Sequence, residues 1–432
     1  MSVRRAAPRP PSAERVALLT LTTRATRAID PDIVLDELAG LVQAAGGVPV
    51  LRALQERPSP DPATVFGKGK VAEWADAARN ADVDLIVVDH VLTPAQSRNL
   101  EAVFGCRVID RTELILDIFA QRARTREGKL QVELAQLQYL LPRLVGSSAA
   151  LSRLGGGIGT RGPGETKLET DRRRIRQRIA ALKREIADVG GRRSYGRARR
   201  RRSDVPTVAL VGYTNAGKTT LFNRLTGDAA VASDALFVTL DPLIRRLRLP
   251  DARHVMVADT VGFIDRLPHS LVAAFTATLE EVVDADLLLH VTDVSAPDRD
   301  RRSRAVQAVL ADIGAGGVPV LTVLNKIDRV PVVERAWLPT TAPGTIAVSA
   351  ATGEGVPELV ELLASQVAMD TTSATFELDF SRADDRQLLV DLHRHGRVHS
   401  QIAVDDHITV RADVPRRWLD RTGRMAAPEP LA

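Results

Sequence analysis

The 432-residue sequence contains one cysteine, Cys106, and only 3% aromatic residues. It also has no uninterrupted apolar run of the roughly 18 residues that a membrane-spanning helix needs. The lone thiol excludes an intramolecular disulfide, suits a reducing cytoplasm and reads as ordinary packing. So few aromatic rings exclude base stacking as a main mode of nucleic-acid binding. Residues 1–15 are basic but lack the apolar core and small-residue cleavage site of a secretory signal, and read as a loose tail.

What is present is a chain 44% apolar and 26% charged, the balance of a folded soluble protein. Its length allows about two to four domains. The net charge of +5 is unevenly spread. Residues 151–202 hold 17 Lys and Arg against 5 Asp and Glu, a segment charge of +12 that leaves −7 for the remainder. A polyanionic partner is expected to meet this segment.

Over 16–125, short apolar runs (16–22, 48–54, 84–90 and 106–110) alternate with helical patterns at 31–44, 70–78 and 94–103. That order predicts an α/β domain with a mainly parallel sheet. Asp30 followed by Pro31 is a cap and first-residue pair for the first helix. Two heptad stripes follow: Leu130, Leu134, Leu137, Leu141, Leu144, and then Ile175, Ile179, Leu182, Ile186, Val189. They predict an antiparallel helical hairpin over 126–195, with Pro142 kinking or ending its first arm. The connecting loop has six glycines in residues 155–164 and forms the expected tip, and 196–206 is a basic linker. Beyond 207, strand-like runs at 208–212, 243–249, 254–259, 287–293, 318–325 and 345–350 again alternate with helices. Residues 371–432 read as a small α+β domain with strands at 375–380, 398–404 and 408–412 and a helix at 384–395.

The chemistry lies in 207–370. Gly212-Tyr213-Thr214-Asn215-Ala216-Gly217-Lys218-Thr219 matches G-x-x-x-x-G-K-[ST] and runs through Thr220 into a helix. Its backbone N–H groups and helix dipole suit phosphate, Lys218 suits the β- and γ-phosphates, and the Thr219 hydroxyl suits Mg²⁺. Asp259-Thr-Val-Gly262 stands about 40 residues on, at a strand end. Asp259 is expected to reach Mg²⁺ through a water, and the Gly262 N–H to meet the γ-phosphate. Thr239 lies between these motifs, where a segment that senses the γ-phosphate supplies a second hydroxyl to the metal. Lys218, Thr239 and Gly262 are thus the expected catalytic contributors. Asn325-Lys326-Ile-Asp328 selects the base. A carboxylate at Asp328 accepts both guanine N1–H and N2–H₂, a donor pair that adenine lacks. Asn325 should brace the phosphate loop, the Lys326 stem should cover the base plane, and Ser349-Ala350 can offer a backbone N–H to guanine O6. Phe263 stands where many GTPases carry the glutamine that orients the attacking water, so intrinsic turnover should be slow and accelerated by a partner. Asn215 occupies a position that ligates K⁺ in some GTPases, against a plain loop-geometry reading. The order and spacing of the motifs resemble a Ras-like P-loop GTPase domain over 207–370 with GTP or GDP as ligand.

The resemblance extends to one family, the HflX GTPases. Phe66–Lys70 (FGKGK), Leu92–Glu101, Asp110–Phe119, Leu137–Leu144 and above all Gly159–Arg173 (GTRGPGETKLETDRR) are similar to its N-terminal signatures. The apolar residue after Gly262 is itself a trait of that family. The resemblance implies a 50S-binding factor that splits stalled or idle ribosomes under stress, with the glycine-rich tip near the peptidyl-transferase region. It therefore implies 23S rRNA as the partner of 151–202, where +12 suits rRNA phosphates. It also associates the N-terminal domain with ATP. Gly67-Lys68-Gly69-Lys70 could hold phosphate at a helix start, or be a turn opening a helix. Two alternatives stay open: a ribosome-assembly or RNA-modification GTPase, and an ATP-driven RNA remodeller working through 16–125. The protein is expected to be monomeric.

Overall fold

The computed structural model describes residues 13–24, 30–144, 167–202, 205–228, 236–251, 253–265, 276–335, 337–338, 342–368, 371–415 and 419. The expected glycine-rich tip and the loose tail to residue 12 lie outside them. The chain forms two compact units. The first takes in the described residues up to Ala187 together with 236–240, and the second takes in the rest.

In the first unit, strands β1 (Arg15–Thr22), β2 (Val48–Glu56), β3 (Leu85–Val88) and β4 (Arg107–Asp110) form an all-parallel sheet in the order β2-β1-β3-β4. The Val and Leu runs of β1 and β3 are buried along their length, as strands covered on both faces must be. Helices α1 (Pro31–Ala44), α2 (Lys68–Asn80) and α3 (Pro94–Phe104) connect them. Asp30 caps α1 by accepting from the Asp32 N–H, and Thr93 with Gln96 closes a capping box on α3. Helix α4 (Arg111–Arg122) has no counterpart among the expected helices. It buries Leu114, Ile115, Leu116, Ile118 and Phe119 on a broad apolar face, while Glu113, Asp117 and Gln121, spaced by four, line the opposite side. Arg111 forms ion pairs with Glu37 and, at 2.8 Å, with Asp89, where their burial requires pairing.

Helices α5 (Arg126–Arg143) and α6 (Lys167–Arg202) supply the two hairpin arms. Leu130, Leu134 and Leu182 form a small core with Leu137, Ile179 and Ile186. Glu133 pairs with Arg178 at 2.7 Å and Arg126 with Glu185 at 3.9 Å, so partner numbers fall as α5 advances: the arms are antiparallel. Leu141, Leu144, Ile175 and Val189 stand outside this cluster. Pro142 lies in the last turn of α5, which ends at Arg143. Its other buried face, including Gly128, Val132 and Ala135, gives α5 a second packing surface beside the heptad seam.

In the second unit, β5 (Thr207–Gly212), β6 (Leu243–Arg248), β7 (His254–Asp259), β8 (Leu287–Asp293), β9 (Val320–Asn325) and β10 (Thr345–Ala347) form a sheet ordered β10-β9-β8-β5-β7-β6. Only β6 runs antiparallel to its neighbour. Helices α7 (Lys218–Thr226), α8 (Thr276–Val283), α9 (Arg299–Asp312), the short α10 (Val332–Arg335) and α11 (Val356–Ala368) belong to it. The C-terminal ends of β5, β7 and β9, and the chain just after β10, carry the motifs, on the carboxyl side of the sheet where open α/β folds bind ligands. The last domain places α12 (Ala383–His395) on a sheet ordered β11-β13-β12 (Thr371–Asp379, His407–Pro415, Arg397–Val404). The fold class expected from sequence therefore holds: a multidomain α/β chain with a helical hairpin, a P-loop domain and a small α+β appendage. No helix among the described residues is long and apolar enough to cross a membrane.

Candidate nucleotide site

Strand β5 delivers its last residue, Gly212, into a turn that no residue with a side chain could make. Its φ is +152°, and an added Cβ would lie 2.3 Å from the Val291 carbonyl oxygen. Gly217 closes the same loop at φ +92°, where a Cβ would lie 2.2 Å from Asn325 Nδ2. Between them Asn215 takes φ +58°, the left-handed region Asn tolerates best. Helix α7 then starts at Lys218, with Thr219 and Thr220 in its first turn. The Lys218 ammonium is buried and donates to the Gly212 and Tyr213 carbonyls at 3.0 and 2.8 Å. Burial pushes its pKa down to about 8, with Asp259 opposing the shift and Lys326 adding to it.

Asp259, fully buried at the end of β7, accepts from the Thr219 hydroxyl at 2.8 Å. A hydroxyl and a carboxylate at this spacing are the hard oxygen donors that Mg²⁺ takes. Thr260, equally buried, anchors the next residue by donating to the Leu210 carbonyl at 2.6 Å. Gly262 lies against the phosphate loop: a Cβ there would come 2.9 Å from Thr214 Cα and 3.0 Å from Lys218 Nζ. Phe263 is buried, and its backbone is stitched to the loop. Its N–H donates to the Gly212 carbonyl at 3.1 Å, and its carbonyl accepts from the Thr214 N–H at 2.7 Å. The Tyr213 hydroxyl accepts the Asp265 N–H at 2.9 Å, and Asp265 pairs with Arg301 of α9 at 2.6 Å.

The base-selecting motif closes the other side. Asn325 is 1% exposed, donates to the Ala216 carbonyl at 2.8 Å and accepts the Ala350 N–H at 3.0 Å. The expected brace on the phosphate loop is thus a hydrogen bond. Lys326, at φ +68°, donates to the Asn215 carbonyl at 2.6 Å and pairs with Asp293 at 2.8 Å. Asp328 accepts from the Ser349 hydroxyl at 2.6 Å. The structure therefore brings Gly212–Thr220, Asp259, Gly262, Asn325, Lys326, Asp328, Ser349 and Ala350 to one sheet edge. Thr239 falls in 236–240, grouped with the first unit, where Phe237 is buried with its ring 4.7 Å from that of Phe119.

Several participants carry no sequence signal. Asp293 is one strand-end carboxylate among many until Lys326 reaches it. His290, buried in β8, is held down to about 4 by burial and then by the charge of Lys218. At the other candidate phosphate position, Gly67 does open α2, but its N–H donates to Gln55 Oε1 at 2.8 Å and Lys70 pairs with Glu73 at 2.8 Å. These contacts match the turn reading.

Comparison with known proteins agrees with this geometry. Family models described as GTP-binding GTPase N-terminal, GTP-binding GTPase Middle Region and 50S ribosome-binding GTPase match residues 32–120, 122–200 and 207–326. The chain is 46% identical over 380 residues to GTPase HflX of Caldanaerobacter subterraneus subsp. tengcongensis, covering 88% of this chain and 87% of that one. It is 48% identical over 348 residues to GTPase HflX of Escherichia coli strain K12, covering 80% and 81%. A solved GTP-binding protein from Sulfolobus solfataricus in complex with GDP is 24% identical, over 82% of this chain and 99% of that one, with a TM-score of 0.44. The three models together span most of residues 32–326, the relatives cover four fifths or more of the chain, and the chain belongs to the HflX family of GTPases, enzymes that hydrolyse GTP.

Proposed function

We propose that this GTPase binds the large ribosomal subunit and uses GTP to separate stalled or idle ribosomes, with 151–202 meeting 23S rRNA. The observation that supports it most is the union, in one chain, of the phosphate cradle with a helical arm whose segment carries +12. The match of 207–326 to a model described as a 50S ribosome-binding GTPase points the same way.

At the site, the Gly212–Thr219 amides and Lys218 would hold the phosphates, and Asp328 would choose guanine. Thr219 and Asp259 (through a water), with Thr239, would hold Mg²⁺, which supplies charge neutralisation at the β- and γ-phosphates. Gly262, packed beside Lys218, would give its N–H to the γ-phosphate. Phe263 offers no group that polarises water, so hydrolysis is slow until the ribosome completes the site. The reading does not extend to K⁺ at Asn215, whose Oδ1 faces the Lys326 ammonium at 3.5 Å. Nor does it extend to ATP at Gly67.

GTP turnover measured with and without purified 50S subunits tests the proposal. Stimulation by mature 50S and not by immature particles or tRNA is expected. Stimulation by immature particles alone would favour an assembly role and sink this one.

A further inference from the structure

The loop Ser349–Gly355 after β10 is tightly self-bonded. The Ser349 N–H donates to the Glu354 carbonyl, and the Gly353 N–H to the Ser349 carbonyl, each at 2.8 Å. The Thr352 N–H donates to Ser349 Oγ at 3.1 Å. Gly355, at φ +74°, permits the return of the chain, since a Cβ would lie 2.3 Å from the Ala347 carbonyl oxygen. Two carbonyls of this loop are claimed by one distant side chain. Arg224, in the last turn of α7, donates from Nε to the Ala350 carbonyl at 3.3 Å and from Nη2 to the Ala351 carbonyl. Its guanidinium lies along Gly353, with Cζ, Nη1 and Nε 3.8–3.9 Å from where a Cβ would stand. A planar fork with fixed donors defines the orientation of both peptide groups, which a lysine cannot do.

The consequence falls on the amide at the far end of each peptide plane. In a trans peptide the N–H points opposite to the carbonyl. A guanidinium on the Ala350 carbonyl therefore turns the Ala351 N–H away from α7. The neighbouring Ala350 N–H is committed to Asn325 at 3.0 Å.

We propose that Arg224 is a positioning residue for guanine specificity, fixing the direction of the Ala351 N–H as the donor to purine O6. This rests on the reading of the loop after β10 as the part of the site that faces O6. It joins the helix that starts at the phosphates to the loop that reads the base, so one α7 places both ends of the nucleotide.

The test uses the full chain and its Arg224→Ala and Arg224→Lys variants. Dissociation constants are measured for GDP, for IDP (which keeps O6 and N1–H) and for 6-thio-GDP (whose sulfur accepts hydrogen bonds poorly). Arg224→Ala is expected to weaken GDP and IDP alike by about tenfold, the worth of one neutral hydrogen bond between the Ala351 N–H and O6. Binding of 6-thio-GDP should change by less than about twofold, and Arg224→Lys should recover part of the loss. Equal loss for all three ligands would mean that Arg224 only supports the loop, and overturns the inference. So does unchanged GDP affinity. If the unsubstituted protein binds ADP as tightly as GDP, the guanine reading itself fails, whatever the variants do.

Discussion

Asn325→Ala is the substitution whose cost the geometry defines best. The side chain is 1% exposed and makes two hydrogen bonds, to the Ala216 carbonyl at 2.8 Å and from the Ala350 N–H at 3.0 Å. Truncation leaves one carbonyl and one amide buried without it. Each orphaned group costs about 1–3 kcal/mol, and water that reaches the Ala350 side relieves part of this. A total of about 3 kcal/mol is expected, or roughly a hundredfold in affinity, because the phosphate loop and the base loop are no longer tied together. Calorimetric titration with GDP, alongside the release rate of a fluorescent GDP analogue, reads this directly. A second arm sharpens the argument. Gly217→Ala alone sets a methyl 2.2 Å from Asn325 Nδ2. In the Asn325→Ala background that clash disappears, and only the left-handed backbone at φ +92° still penalises alanine, by about 1–2 kcal/mol. The two substitutions should therefore be strongly non-additive, the double variant binding GDP better than the sum of the singles predicts. Additivity within about 0.5 kcal/mol would refute the reasoning, as would an Asn325→Ala cost below about 1 kcal/mol.

Asp328→Asn replaces an acceptor by a donor opposite guanine N1–H, so GDP affinity should fall about 10²-fold or more while xanthosine diphosphate gains; competition binding checks it, and an unchanged preference refutes it. Lys218 titrates near 8 before nucleotide arrives, and the phosphates must raise that value. GTP binding should then take up a proton above pH 8 and weaken with rising pH, which titrations at pH 8.5 in buffers of different ionisation enthalpy will show. His290 is held at about 4 in the fold against about 6.5 unfolded, so the unfolded chain binds more protons between those values. The associated stability is full above pH 6.5 and lost as pH falls through 4, up to about 3 kcal/mol, and His290→Gln should flatten that acid limb in unfolding experiments.

The nucleotide site was legible because its chemistry depends on short contiguous motifs. Gly212, Gly217, Lys218, Asp259 and Asn325 each sit at a strand end or helix start that their neighbours announce. The parallel sheets were legible from the apolar runs in β1, β3, β5 and β8. What escaped depends on pairings distant in sequence: Arg224 with Ala350, Asp293 with Lys326, Asp265 with Tyr213 and Arg301. Helix α4 escaped although its period was present, since Glu113, Asp117 and Gln121 recur every four residues opposite the apolar face, because it follows β4 without a break and the apolar run Leu114–Leu116 continues the strand-like pattern. The heptads read more hairpin than the packing uses, because α5 divides its buried residues between the α6 seam and a second face carrying Gly128, Val132 and Ala135.

Phe263 shows how position and side chain carry separate meanings. From the sequence, its ring matters as the absence of a glutamine. In the structure the ring is buried, and the main chain acts: Phe263 pairs with the phosphate loop like a short strand, flanking the Gly262 that lies 3.0 Å (as a built Cβ) from Lys218 Nζ. With its side chain in the core and its N–H and carbonyl bonded to Gly212 and Thr214, Phe263 holds the phosphate loop through its backbone and offers no polar side-chain group to an attacking water. Substituting glutamine at Phe263 would therefore bury an amide rather than create a catalyst, at a cost of about 1–3 kcal/mol in stability. The proposed stimulation by the 50S subunit accordingly looks to a group outside this segment to orient the water.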